Sequence, residues 1–307
     1  MDRASLKLFL QNCRGSIKFN YNLADLTWLK VGGPADIFYK PQDLQDLQYF
    51  LSSLPKEYDL SVIGAGSNLL IRDGGLRGAL IKLGSNFNYI NHEEGFLSVG
   101  AATLNYNLAH FCLQNSITGF EFLVGVPGTI GGGIAMNAGA YGREFCDIAQ
   151  EVIALRRDGS WRKLTRADIG FKYRGNNLKE PLVFVAASFP FTKGNQEQIK
   201  DSMDKINLER KKTQPIGQKT AGSLFANPAN QKSWQLIDKV GMRGYTLNMA
   251  QISPLHCNFL INLGGSSAYD LEALGDLVKQ KVQQELGVDL DWEVRRIGRK
   301  LINLHQG

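Results

Sequence analysis

The chain has 307 residues, 43% of them hydrophobic, enough to bury a large core and to form two or three domains. Its formal charge of +6 suits a nucleic-acid binder or an enzyme whose ligands carry phosphates and carboxylates. The basic residues are spread out, with short clusters such as Arg210-Lys211-Lys212 and no recurrent interleaving with aromatics, so nucleic acid is the weaker reading.

The N-terminal segment, residues 1–13, has too short an apolar stretch for a secretory core, and no small-residue cleavage site follows it. No apolar run approaches the roughly 20 residues needed to cross a bilayer. The longest, residues 130–141, is broken by Gly131, Gly132, Gly133 and Asn137. Cys13, Cys112, Cys146 and Cys257 have neither C-x-x-C spacing nor a zinc pattern with the scattered histidines. They read as reduced cysteines, and a cytoplasmic protein without a bound metal is expected. His92, His110 and His305 read as surface or packing residues.

In chain order, Pro41 opens a short amphipathic helix carrying Leu44, Leu47, Leu51 and Leu54. Residues 60–63 and 78–83 read as buried strands, which makes the first 84 residues a small βαββ lobe. Thr103 is placed to cap a helix carrying Leu104, Leu108, Phe111 and Cys112 and ending near Gly119. Residues 151–165 read as a hairpin about Asp158-Gly159, and 182–187 as a strand closing a second lobe, 85–192. A turn-rich stretch at 190–195 precedes a long polar helix over 196–212 and a third lobe, 193–307. In that lobe a helix over 269–286 presents Leu271, Leu274, Val278 and Val282 and is ended by Gly287. A strand over 292–297 follows. The class is α+β, with a ligand expected between glycine-dense loops.

Two glycine blocks carry the chemistry. In the first, a strand runs into Gly64, Ala65, Gly66, Ser67, Asn68 and Leu69. Gly-x-Gly after a strand brings bare N–H groups close to an anion. Leu69 stands where a dinucleotide fingerprint has its third glycine, and Gly74-Gly75 interrupt the crossover helix, so the motif is not a Rossmann one. The second block holds Gly125, Pro127, Gly128, Thr129 and Gly131 to Gly133 and runs on to Asn137 and Gly142. It reads as a loop along which an extended ligand lies, or as a glycine-rich hairpin or lid.

Together with Lys30-Val31-Gly32-Gly33-Pro34-Ala35-Asp36, Gly170-Phe171-Lys172-Tyr173-Arg174, Ala221-Gly222-Ser223-Leu224-Phe225-Ala226-Asn227-Pro228 and Trp292-Glu293-Val294-Arg295, these blocks form an ordered series. The series, from about Asn20 to Gly298, closely resembles the UDP-N-acetylenolpyruvoylglucosamine reductases. The resemblance implies a vanillyl-alcohol-oxidase-type, two-lobe FAD-binding region and a C-terminal α+β substrate-binding domain, in the shorter second type of the family. FAD would be held noncovalently by residues 64–69 and by Gly125, Pro127, Gly128, Thr129, Gly132 and Asn137. NADPH would be the co-substrate, a UDP-sugar the substrate, and the enzyme a monomer.

Three positions depart from the family pattern: Ala226 in place of a usual lysine, Gly175-Asn176-Asn177 in place of a serine-containing stretch, and Ala65 within the first glycine run. By the same resemblance Arg174 would grip the substrate carboxylate with its planar fork. Glu293, if protonated, would donate to the developing enolate, and Ser223 would protonate the carbanion. Tyr173, Asn227 and Asn258 would contact substrate, and Gln214 or Lys219 would stand in for a substrate-binding lysine. By local pattern alone Arg174 is a solvated strand-end residue, Ser223 a turn serine and Glu293 a solvent-facing strand carboxylate.

Overall fold

A computed structural model describes residues 10–93 and 95–301. The N-terminal residues 1–9, which hold most of the short apolar stretch, and His305 lie outside the described residues. Strands and helices alternate in an α+β arrangement that divides into two compact units. One contains Ile37–Ala65 and Gly78–Leu208 with the chain up to Phe19, and the other Asn20–Asp36, Gly66–Arg77 and the chain from Glu209 onward.

The first unit has two cores. In one, Leu47, Phe50 and Leu51 of the helix Leu44–Ser53 pack with Ile37, Tyr39, Ala79 and Ile81 from neighbouring strands. The helix begins at Leu44, three residues after Pro41, and Asp43 caps it, accepting from the Asp46 amide at 3.0 Å. The strand Leu60–Ile63 runs parallel to Leu76–Lys82, with Ile63 opposite Lys82, so Gly64 leaves the sheet where both strands end. The second core lies beneath a five-stranded sheet in the order Trp161–Thr165, Glu151–Leu155, Val183–Pro190, Phe96–Gly100, Ile90–Glu93. The expected hairpin forms, with Gly159 at a φ of +79°. Ile199, Met203 and Ile206 of the helix Gln196–Thr213 belong to this core.

In the second unit, an antiparallel sheet in the order Thr220–Ser223, Phe259–Asn262, Ala250–Ile252, Thr246–Leu247 shares a core with the helix Ala268–Leu286. That helix buries Leu271, Leu274, Val278 and Val282, as its periodicity predicts, and Gly287 ends it at a φ of +70°. Its first two amides donate to Asp73, from Ala268 to Oδ1 and from Tyr269 to Oδ2, each at 2.9 Å.

Four local expectations change. The second glycine block is not a loop throughout: Ile130–Met136 is a helix, capped by Thr129, whose Oγ1 accepts from the Gly132 amide at 3.3 Å. A helical glycine costs about 1 kcal/mol relative to alanine, but these glycines admit close neighbours. A Cβ on Gly133 would run into the Phe145 ring, and one on Gly131 would press on Ala101. Second, the helix expected to start from Thr103 is Asn105–Gln114, with Leu104 as an exposed cap residue. The Thr103 hydroxyl donates to the Tyr89 carbonyl instead, at 3.1 Å. Third, the last strand shrinks to Arg295–Ile297, parallel to Leu69–Ile71. Fourth, the first lobe is richer than βαββ, because Ser16–Asn22 and Leu69–Ile71 are also strands.

Candidate active site

The two glycine blocks meet in the first unit. A Cβ on Gly64 would lie 2.5 Å from Thr129 Oγ1, so only glycine lets the turn after Ile63 come this close to the cap of the helix Ile130–Met136. Residues 125–129 are pinned from behind. The Asn105 amide donates to the Gly128 carbonyl at 3.0 Å, the Asn105 Nδ2 to the Val126 carbonyl at 3.1 Å, and the Ile130 amide to the Thr103 carbonyl at 2.9 Å. Gly64, Ala65, Pro127, Gly128 and Gly132 stay half-buried, while Thr129 is buried. Two close-set segments with little side chain suit a long, phosphate-bearing cofactor that binds along main chain. The Lys82 ammonium donates to the Gly64 carbonyl at 2.6 Å from beneath.

Asn137 ends the same helix in the left-handed region, φ +41°, and is buried. Its side chain is spent on protein: Oδ1 accepts from the Cys146 amide at 2.9 Å, and Nδ2 donates to Glu144 Oε2 at 2.8 Å and the Lys172 carbonyl at 3.1 Å. Glu144 also joins Asn137 to Arg174. Arg174 Nη1 donates to Glu144 Oε1 at 3.2 Å, and Nη2 to the Gly139 carbonyl at 3.3 Å. Lys172 and Gly175 exchange backbone hydrogen bonds of 3.0 and 3.1 Å, which makes Tyr173-Arg174 the tip of a tight turn. Arg174 takes a φ of +53° there, a conformation a large side chain holds only when its surroundings impose it. Its guanidinium lies 4.7 Å from the centroid of the exposed Tyr173 ring. Arg174 is therefore a held residue on a turn and not a solvated strand end. The departing Gly175-Asn176-Asn177 serves this turn, for Asn176 Nδ2 donates to the Ala135 carbonyl at 3.0 Å.

The second unit brings Ser223, Glu293 and Asn68 to one place. Ser223 is the last residue of the strand Thr220–Ser223, opposite Phe259, not a free turn serine. The next carbonyl, that of Leu224, accepts from the Glu293 amide at 2.9 Å. Asn68 Nδ2 donates to the Glu293 carbonyl at 3.1 Å, and the Asn68 carbonyl accepts from the Arg295 amide at the same distance. The Glu293 backbone is thus clamped from both sides. Gly66, at φ +68°, accommodates the Leu26 carbonyl where a Cβ would sit, and Ser67 and Leu69 flank Asn68, half-buried.

Asn258 is buried and closes a ring with Phe225: its Oδ1 accepts from that amide at 2.9 Å and its Nδ2 donates to that carbonyl at 2.8 Å. Asn227 accepts from the Ser233 amide at 3.0 Å but remains exposed. At the departing Ala226 the main chain is engaged, its amide donating to the Asp291 carbonyl at 2.9 Å and its carbonyl accepting from Ser233 Oγ at 2.6 Å. Gln214 Oε1 accepts from Arg210 Nε at 3.3 Å, and Lys219 is exposed.

Among the described residues all four cysteines are free, and no cluster of three or more His, Cys, Asp or Glu is placed to hold a metal. Burial pushes the Cys13 thiol up to about 11, so it is not a nucleophile at neutral pH. His92 packs edge-on to Phe111 and Phe191, and the His110 ring lies tilted against Tyr106. Burial lowers the His256 pKa, which keeps that imidazole neutral, its Nδ1 accepting from the Asn258 amide at 3.3 Å. No helix among the described residues is long and apolar enough to cross a membrane.

Glu144 and Lys82 were missed by sequence reasoning. Nothing local links Glu144 to an arginine 30 positions on. Lys82 did carry a signal, because it follows the apolar run Ala79-Leu80-Ile81 in the strand beside the one leading into the glycine turn.

A family profile described as an FAD binding domain matches residues 35–165, and one for the UDP-N-acetylenolpyruvoylglucosamine reductase C-terminal domain matches 214–297. The two profiles together define an oxidoreductase with an FAD-binding domain. UDP-N-acetylenolpyruvoylglucosamine reductases of Rickettsia massiliae and Rickettsia prowazekii are each 54% identical to it. The alignments cover 95% of this chain and 99% of the R. massiliae protein, and 93% and 97% for R. prowazekii. The crystal structure of UDP-N-acetylenolpyruvylglucosamine reductase from Thermus caldophilus superposes with a TM-score of 0.80 at 31% identity, covering 92% of this chain and 98% of that one. The chain belongs to the UDP-N-acetylenolpyruvoylglucosamine reductase family.

Proposed function

We propose that the chain is a cytoplasmic, monomeric enzyme that uses NADPH and noncovalent FAD to reduce UDP-N-acetylglucosamine enolpyruvate to UDP-N-acetylmuramate for peptidoglycan synthesis. Lobes 1–84 and 85–192 would bind FAD and 193–307 the UDP-sugar. The carrying observation is the hydrogen bond from the Glu293 amide to the carbonyl of Leu224, the residue after Ser223, which ties two segments far apart in sequence.

Residues 64–69 would hold the FAD diphosphate, with Gly125, Pro127, Gly128, Thr129 and Gly132 along the rest of the cofactor and Asn137 shaping that wall. Bound FAD supplies the two-electron relay from NADPH to the alkene of the substrate. The chain must then stabilise charge that develops beside the pyruvyl carboxylate. Arg174 does so with a fork already oriented by Glu144 and Gly139. Glu293, in its protonated form, donates to the enolate, and Ser223 Oγ gives its proton to the carbanion. Tyr173 and Asn227 reach substrate with their side chains, and Asn258 acts by holding Phe225.

Anaerobic stopped-flow absorbance tests this reading. Flavin bleached by NADPH should recolour when UDP-N-acetylglucosamine enolpyruvate is added. A protein that bleaches and never recolours would discard the substrate, and one that takes up no FAD would discard the whole reading.

A further inference from the structure

The turn that follows Ile63 sits on a cationic floor that the reaction above does not use. The strands Leu60–Ile63 and Leu76–Lys82 run parallel and end together, with Ile63 opposite Lys82. Half-buried at that end, the Lys82 ammonium donates to the Gly64 carbonyl at 2.6 Å. The exposed Lys40, at the end of the strand Pro34–Lys40, reaches the same region: a Cβ on Gly84 would lie 2.9 Å from its Cε. Neither ammonium has a carboxylate partner among the described residues. Burial and the neighbouring charge of Lys40 both lower the Lys82 pKa, the response of a cation without a counterion.

We propose that Lys82, reinforced by Lys40, is a positioning residue for a phosphate-bearing ligand at the Gly64-Ala65 turn. It acts in two ways. In a trans peptide the carbonyl and the following N–H point in opposite directions. By holding the Gly64 carbonyl on its own side, Lys82 turns the Ala65 N–H to the other side, away from the floor and available to an anion. Its uncompensated charge, and that of Lys40, raise the local potential for the same anion. This role rests on the FAD reading and names what prepares the glycine turn for a diphosphate.

The test is titration of the apoprotein with FAD, followed by flavin fluorescence across a salt series. Lys82→Met should raise the Kd at least about tenfold and flatten its salt dependence, whereas Lys82→Arg should stay within about threefold of the original chain. If Lys82→Met binds FAD with unchanged Kd and salt slope, the proposal is overturned. Should Lys82→Met fail to fold, Lys40→Met decides, since its side chain is exposed. A flatter slope supports the cationic floor and an unchanged one removes it. An unsubstituted chain that binds no FAD would instead sink the cofactor reading itself.

Discussion

Arg174 shows how one residue is prepared for its task. A guanidinium in water samples many rotamers, and ordering it on binding costs free energy. Here Glu144, the Gly139 carbonyl and the Tyr173 ring fix the fork before any ligand arrives. Glu144→Gln keeps a hydrogen-bond acceptor but removes the charge, so it should raise KM for the enolpyruvyl substrate about tenfold while NADPH-driven bleaching stays unchanged. Steady-state and half-reaction kinetics check both parts, and a slower bleaching step would place Glu144 with the cofactor instead. Ser223 has the complementary role. Ser223→Ala should leave bleaching intact and slow reoxidation by substrate at least about a hundredfold. Equal loss in both half-reactions would reject the proton-donor assignment.

At the scale of elements, the helix Ile130–Met136 sets two small effects against each other. Alanine at Gly133 gains about 1 kcal/mol of helix propensity, but its methyl would enter the space of the buried Phe145 ring. Overpacking a core costs about 1–3 kcal/mol, and the ring cannot retreat because Phe145 is itself packed edge-on to Phe189. Gly133→Ala should therefore lower Tm despite improving the local propensity, and thermal denaturation followed by circular dichroism would show it. An unchanged or higher Tm would mean the ring has room to move. The same substitution should weaken FAD binding, because this helix carries the Thr129 cap that faces Gly64.

At the scale of the whole molecule, one buried acid should govern part of the response to pH. Glu272, whose side chain is 7% exposed, receives both Arg72 Nε and Nη2 at 2.9 Å and Arg296 Nη1 at 3.2 Å. The hydrogen bonds from Arg72 hold its pKa below the ordinary 4.5, so the folded state binds that proton less tightly than the unfolded chain. Its stabilisation is therefore complete above about pH 4.5 and is lost as pH falls through the lowered value. Glu272→Gln should cost about 2–3 kcal/mol at neutral pH, with the difference from the unsubstituted chain shrinking in acid. Denaturant titrations at several pH values check this, and a deficit independent of pH would assign the effect to packing alone.

What the sequence determined by itself is local in origin. Residue periodicity marks the helix Ala268–Leu286, Gly287 its end, and Asp158-Gly159 the hairpin turn, because each depends on backbone preference and neighbours a few residues away. The ordered motif series was legible for the same reason, and it pointed to the family that the comparisons establish. Only the tertiary structure decided that the Gly131 to Gly133 run is helical, since the reason lies in Ala101 and Phe145. It alone joined Glu144 to Arg174, Leu224 to Glu293 and Lys82 to Gly64. Those contacts depend on how distant segments pack and on which buried polar groups must find partners, and nearest-neighbour preferences carry no record of either.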